Sequence, residues 1–383
     1  MEKAIVNGTV YTPSQKIESG AVVISGNKIE SVGPANETHI EPDTEIFDAQ
    51  GMAIAPGFVD VHMHGVAGHD NMGTGLAEVI PALPAYGVTS FMATTLTYPR
   101  AEVLEALEIM SEILSSPPVG ANCLGIHLEG PHLSPKRPGM ATAEWVYPLS
   151  TEDYQSLQKA ADGYLKMITF APEEGNAMDV IPALVAGGVV PVMGHSDATF
   201  EQVQKAVGLG LNHATHTYNA MRPLQHREPG AVGGVMYFDE IYAELIADGV
   251  HIHPAAMQIL LRVKGLDKVV LISDSSPLAG LPDGEYEWER KPVLVRDGRC
   301  MLPDGTLAGA HELLDTGVRN LVNLLGLPLE QALVPATRTP ADSVGAKHKG
   351  RLEPGCDADI VILDREIQPF ATFVGGRLLY KRR

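Results

Sequence analysis

Short runs of apolar residues alternate with longer amphipathic stretches through most of the chain. The strand candidates are Phe58–His62, Ser90–Thr95, Cys123–Glu129, Tyr164–Phe170, Val189–His195, Asn212–Thr217, Ala243–Asp248 and Lys268–Asp274. The helix candidates between them are Gly75–Tyr86, Arg100–Ser115, Thr151–Ala161, Asp179–Ala186, Phe200–Gly208 and Pro254–Lys264. Eight strands alternating with helices predict an α/β protein built on a parallel (β/α)8, TIM-like barrel. Ser275–Gly309 follows as a long Gly- and Pro-rich excursion, partly hairpin-like, of the kind that covers or builds a site. Glu312–Leu325 and Leu329–Val344 then read as helices.

The two ends read differently. Lys3–Val6, Thr9–Tyr11, Ala21–Ser25 and Lys28–Val32 are Val- and Ile-rich strands, with Asn7-Gly8 and Gly26-Asn27 as hairpin turns between them. Ala358–Leu363, Ala371–Val374 and Arg377–Lys381 repeat the pattern at the other end. The expected organisation is a barrel over residues 56–348 and one small β-sandwich domain assembled from residues 1–55 and 349–383.

Charge narrows the partners. The 383 residues include 28 Lys and Arg against 47 Asp and Glu, so the net charge is 28 − 47 = −19. A nucleic-acid binder needs a basic face to displace counterions, and a membrane-surface protein a polybasic one. Neither partner is expected. Three distant cysteines, Cys123, Cys300 and Cys356, make no disulfide framework and no CxxC pair. No signal-peptide core and no spanning run of about 18 apolar residues is present. The expectation is a soluble protein of the cytoplasm.

Histidine is the unusual residue: twelve of the fourteen fall between His62 and His311. Several sit where predicted strands end, as in His62-Met63-His64, His127-Leu128-Glu129, Gly194-His195 and Thr215-His216. The C-terminal strand ends of a barrel converge on one mouth. Residues i and i+2 of a strand share a face, so His62 and His64 can point at one ion. Glu129, His195 and His216 complete a mixed imidazole and carboxylate set suited to Zn²⁺ or Fe²⁺. His127 reads as a core or supporting histidine, and His69, His132, His213, His226 and His253 are not assigned as ligands. Asp274 closes the eighth strand, where it can take a proton from an attacking water and return it to a leaving amine. A plain helix cap is the competing reading of Asp-Ser-Ser-Pro.

Several segments now carry a resemblance: Pro56-Gly57-Phe58-Val59-Asp60-Val61-His62-Met63-His64-Gly65, Gly125-Ile126-His127-Leu128-Glu129-Gly130-Pro131, Gly194–Thr199, Thr215–Met221, Asp248–His251, Ser273-Asp274 and the tail Gly350–Asp359. The chain resembles the amidohydrolase superfamily and, within it, the N-acetylglucosamine-6-phosphate deacetylase family, nearly end to end. The resemblance implies that His195, His216 and Glu129 hold one divalent metal. It implies that the intact His62-x-His64 pair adds a second, with the glutamate between them, or leaves a weaker second position, so that each subunit holds one or two ions; other members lack those histidines and work with one metal. It implies a catalytic Asp274. It also implies substrate contacts at Met140, Ala141, Asn219, Ala220, Arg227, Asp248, His251, Leu307, Ala308 and Gly309.

The cationic loop Met221–Arg227, with Arg222, His226 and Arg227, is what a dianionic phosphate requires. In the family that arginine can come from the neighbouring subunit, which implies a homodimer. The fourth strand ends Thr169-Phe170-Ala171-Pro172, and its one lysine, Lys166, lies near the start, against carboxylated-lysine chemistry. Some members carry a carbonyl-polarising histidine near Ala141, where this chain reads Gly139-Met140-Ala141-Thr142. The expected activity is removal of the acetyl group from N-acetyl-D-glucosamine 6-phosphate. The rivals are another N-acyl amino sugar phosphate, an N-acyl amino acid, or a non-catalytic scaffold.

Overall fold

A computed structural model describes residues 2–383. Eight parallel strands follow one another in sequence order around a barrel: Phe58–Met63, Val88–Thr94, Asn122–Glu129, Leu165–Phe170, Val190–Met193, His213–Ala214, Tyr242–Ile246 and Val269–Ile272. Past its last strand the chain returns to the first. Asp274 N donates to His62 O at 2.9 Å, and Ser273 Oγ donates to the buried Asp60 Oδ2 at 2.6 Å. Burial pushes the Asp60 carboxyl up to about 7.

Two apolar layers follow from the strand alternation. Val59, Val61, Met92, Met167, Val192 and Ile246 fill the barrel interior, and a second cluster lies between strands and outer helices. The polar residues at the C-terminal strand ends are left to line the mouth.

The termini share one eight-stranded sheet. Lys3–Tyr11 lies between Lys16–Ser25 and Ala53–Pro56, and Ala53–Pro56 pairs antiparallel with Ile360–Leu363. Asn7-Gly8 is not a turn: Asn7 takes φ +59° within one continuous strand, and the register shifts between Ile5 and Gly8. Gly26-Asn27 does turn the chain between Lys16–Ser25 and Lys28–Pro34.

The excursion after the eighth strand contains a four-stranded antiparallel sheet, Gly284–Trp288, Lys291–Arg296, Arg299–Met301 and Leu307–Ala310. Its first turn, Glu289-Arg290, has both residues at positive φ. Arg290 lies over the stacked rings of Tyr98 and Trp145 and donates to Glu102 at 2.6 Å. Lys291 donates to the carbonyl of Met140. These contacts fasten the excursion to the mouth.

Two helix expectations need correction. Leu329–Val344 is not one helix but Leu329–Ala332, a 3-10 turn Val334–Ala336, and Arg338–Ser343. Pro335 and Pro340 lack the amide a continuous helix would use. An unforeseen helix, Gly230–Tyr237, lies between the sixth and seventh barrel strands. Its glycines hide it from propensity, yet a Cβ on Gly234 would stand 2.7 Å from Val203 Cγ1. The close approach of two helices is what Gly234 permits. Among the described residues, no helix is long and apolar enough to cross a membrane.

Candidate active site

The mouth holds a cleft of about 270 Å³, walled by the barrel loops and the excursion. Its floor is Glu129, whose two oxygens face two groups. Oε1 lies 3.1 Å from His216 Nε2 and 3.4 Å from His195 Nε2, and the two imidazole nitrogens are themselves 3.1 Å apart. Oε2 lies 3.2 Å from His64 Nε2 and 3.4 Å from His62 Nε2. Asp274 Oδ1 closes this second group at 3.1 Å from His64 and 3.6 Å from His62.

The arrangement fits metal. Donor atoms about 2.0–2.1 Å from a tetrahedral zinc stand roughly 3.3 Å from each other, which matches the separations on both sides of Glu129. His195 Nδ1 faces the carbonyl oxygen of Arg137 at 2.9 Å, so the neutral ring donates there and turns a bare Nε2 inward. His62 Nε2 is buried with no hydrogen-bond partner. Burial alone would depress the His62 imidazole, but Glu129, Glu244 and Asp274 outweigh it and hold it well above its ordinary range. Burial works against the Glu129 carboxylate too, yet the His62, His195 and His216 rings hold it well below the ordinary range. So many carboxylates around one point call for positive charge there, and a divalent ion supplies it in place of protons.

The backbone is bent to reach this geometry. His195, His216 and Asp274 have φ of +46°, +21° and +51°. Each such residue costs about 1 kcal/mol or more and persists only where neighbours fix it. His216 N donates to Glu244 Oε2 at 3.1 Å, and Asp274 N is the donor that closes the barrel.

His64, Glu129, His195, His216 and Asp274 all line the cleft, and His62 lies behind them, fully buried. Met140, Ala141, Asn219 and Ala220 form one wall, and Leu307 and Gly309 another, with His251 facing the same space. Asp248 lies behind His251 and accepts from its Nδ1 at 2.6 Å. Burial would depress His251, but Asp248 holds it above its ordinary value. Ala308 is buried. Arg227 is exposed and not part of the cleft wall, and its neighbour Arg222 is engaged by Glu228 at 2.6 Å.

His127 sits in the core, between Thr169 Oγ1 at 2.7 Å and Val61 O at 3.0 Å. His253 caps the helix Pro254–Lys264, its Nδ1 accepting from Ala255 N. His132 is wholly buried against Tyr147, and burial pushes it down to about 4. The unfolded chain titrates near 6.5. Between those two pH values the unfolded state binds more protons, so this residue costs stability as pH falls from 6.5 toward 4. His132→Phe is expected to gain on wild type over that window, by on the order of 3 kcal/mol at pH 4; denaturant titrations of both proteins at pH 4 and 7 measure it.

Sequence reasoning missed three carboxylates around the site. Glu244 accepts from His62 Nδ1. Asp70 accepts from the Trp288 indole at 3.2 Å. Glu289 stands in the cleft wall, where burial lifts it to about 7. The lone charge in Tyr242-Ala243-Glu244-Leu245-Ile246 was the one available signal.

The fold and this cluster define a barrel hydrolase whose His, Glu and Asp groups are suited to hold a divalent metal, and the chain belongs to the amidohydrolase family, whose sequence pattern matches residues 53–379. It is 36% identical over 377 residues to an N-acetylglucosamine-6-phosphate deacetylase of Lysinibacillus sphaericus, covering 98% of this chain and 97% of that one. It is 32% identical to an N-acetylgalactosamine-6-phosphate deacetylase of Escherichia coli O157:H7, covering 93% of each. The crystal structure of N-acetylglucosamine-6-phosphate deacetylase from Pasteurella multocida superposes with a TM-score of 0.93 at 30% identity, covering 99% of both chains.

Proposed function

We propose that this protein hydrolyses the acetamide of N-acetyl-D-glucosamine 6-phosphate to acetate and D-glucosamine 6-phosphate, in amino-sugar catabolism in the cytoplasm. One observation carries the reading: a carboxylate, Asp274, stands at the rim of a two-sided His and Glu cluster on the floor of a cleft, in a chain similar over its whole length to deacetylases of this substrate.

Glu129, His195 and His216 would hold one divalent ion, zinc or iron. His62, His64 and Asp274, with the other oxygen of Glu129, would hold a second. When bound, such an ion polarises the acetamide carbonyl and makes the attacking water more acidic. Asp274 accepts the proton of that water through its carboxylate as the new C–O bond forms. It then gives the proton to the amine nitrogen as the C–N bond breaks. His251, held by Asp248, and Asn219 orient the sugar phosphate from the wall. The Trp288 and Leu307 side of the excursion keeps bulk water from the acetamide.

In this reading residues 56–348 form the catalytic barrel, and residues 1–55 and 349–383 a small β-sandwich beside it. The working unit is a homodimer, in which the exposed Arg227 reaches the phosphate in the neighbouring subunit's cleft. Arg227→Ala is expected to raise KM for the phosphorylated sugar about 10- to 100-fold, the loss of a charged hydrogen bond. Turnover of the unphosphorylated sugar should scarcely change. Steady-state acetate release on the two substrates measures the split, and equal effects on both would refute the assignment.

A further inference from the structure

Glu244 points into the barrel from the seventh strand and is fully buried. A carboxylate sealed there needs partners, and it has four. Oε2 accepts from His62 Nδ1 at 2.9 Å, from Thr215 Oγ1 at 2.9 Å and from His216 N at 3.1 Å, while Oε1 accepts from His213 Nε2 at 3.0 Å. One side chain thus ties the first, sixth and seventh strands together at the depth of the cluster.

The bond to His62 has a chemical consequence. A neutral imidazole carries one proton. The carboxylate draws that proton to Nδ1, because the other tautomer would set the Nδ1 lone pair against a negative oxygen. Nε2 is then bare, and it is the partnerless buried nitrogen facing Glu129 Oε2 and Asp274 Oδ1. The other half of the cluster is oriented differently. His195 is set by the carbonyl of Arg137, and His216 meets Glu244 only through its backbone amide.

We infer that Glu244 is a positioning residue that fixes the tautomer and orientation of His62 and so decides whether the His62, His64 and Asp274 side of the centre holds an ion. The inference rests on the reading of the cluster as a metal centre. Carboxylates behind a ligating histidine also raise its basicity, and their loss costs about 10- to 100-fold in metal affinity.

Two variants test it. Glu244→Gln keeps the shape: its amide oxygen can accept from His62 while its NH₂ donates to His213 Nε2, so the charge is lost and the His213 proton moves to Nδ1. Glu244→Leu removes the carboxylate and leaves His62 Nδ1 only the Thr215 hydroxyl, at 3.0 Å, which can accept or donate. The wild-type chain is expected to retain two zinc ions after equilibration at buffered free zinc. In Glu244→Gln the weaker ion should dissociate about 10- to 100-fold more readily, while the tighter one changes less than about threefold. Glu244→Leu should retain one ion. Zinc-loaded wild type, labelled with ¹⁵N-histidine, should show His62 protonated at Nδ1 and not at Nε2, and Glu244→Leu a mixture of tautomers. If Glu244→Leu does not fold, stoichiometry and spectra of Glu244→Gln decide. The inference is overturned if both variants bind both ions as wild type does, or lose both ions in parallel with a lowered metal-free Tm. Wild type holding a single ion also overturns it, and leaves the one-metal reading standing. Wild type holding none overturns the metal centre as well.

Discussion

Asp274→Asn lowers kcat by about 10²–10⁴-fold, the range for removing a positioned general acid and base, and moves KM for the sugar phosphate only a few-fold. The asparagine has nearly the shape of the aspartate. It keeps the backbone bond from Asp274 N to His62 O that closes the barrel. What it lacks is an oxygen that can take a proton and return it to the amine. The expected signature is therefore a fall in kcat and kcat/KM together, with binding retained. Substrate titration by calorimetry beside steady-state acetate release reads both. An Asp274→Asn enzyme with near-normal turnover would show that the proton travels by another route.

Glu129→Ala should have an effect as large by a different path. Glu129 alone faces both halves of the cluster, Oε1 toward His195 and His216 and Oε2 toward His62 and His64. Without it the two pairs of imidazoles face each other with no carboxylate bridging them, and Asp274 stands beside only the His62 and His64 pair. Bound metal should fall below half an ion per chain, and kcat by on the order of 10³-fold or more, because several kcal/mol of charge stabilisation go with the ion. Glu129→Gln keeps the volume but not the charge, and should lose metal to the same degree. Elemental analysis after gel filtration gives the metal, and acetate release the rate. Either variant keeping a full complement of metal would show that the imidazoles alone make the site.

The barrel and its reactive rim were legible because both are written in local patterns. Apolar runs ending in His62, His64, Glu129, His195, His216 and Asp274 mark strands and their C-terminal ends, and barrel closure does the rest. The supporting residues were not legible. Glu244 and Asp60 lie inside apolar strands, and their partners His62 and Ser273 are fixed only by which strands meet. Spacing along the chain carries no trace of that. His132 was placed in a loop, which it is, but the loop folds inward and buries it against Tyr147. The helix Gly230–Tyr237 forms against the propensity of its glycines, because Gly234 gains a close contact with Val203 that no other residue would allow. Arg227 could be read as a cation for phosphate, but a single chain leaves it exposed and outside the cleft. The role proposed for it calls for a second subunit.

The most direct test of the account is acetate release from N-acetylglucosamine 6-phosphate by the purified protein, run beside unphosphorylated N-acetylglucosamine and repeated after chelator treatment and zinc add-back. Rapid release from the phosphorylated sugar alone, abolished by chelation and restored by zinc, is the predicted result. Release that survives complete removal of metal, or no release from the sugar phosphate by metal-loaded protein, would contradict it.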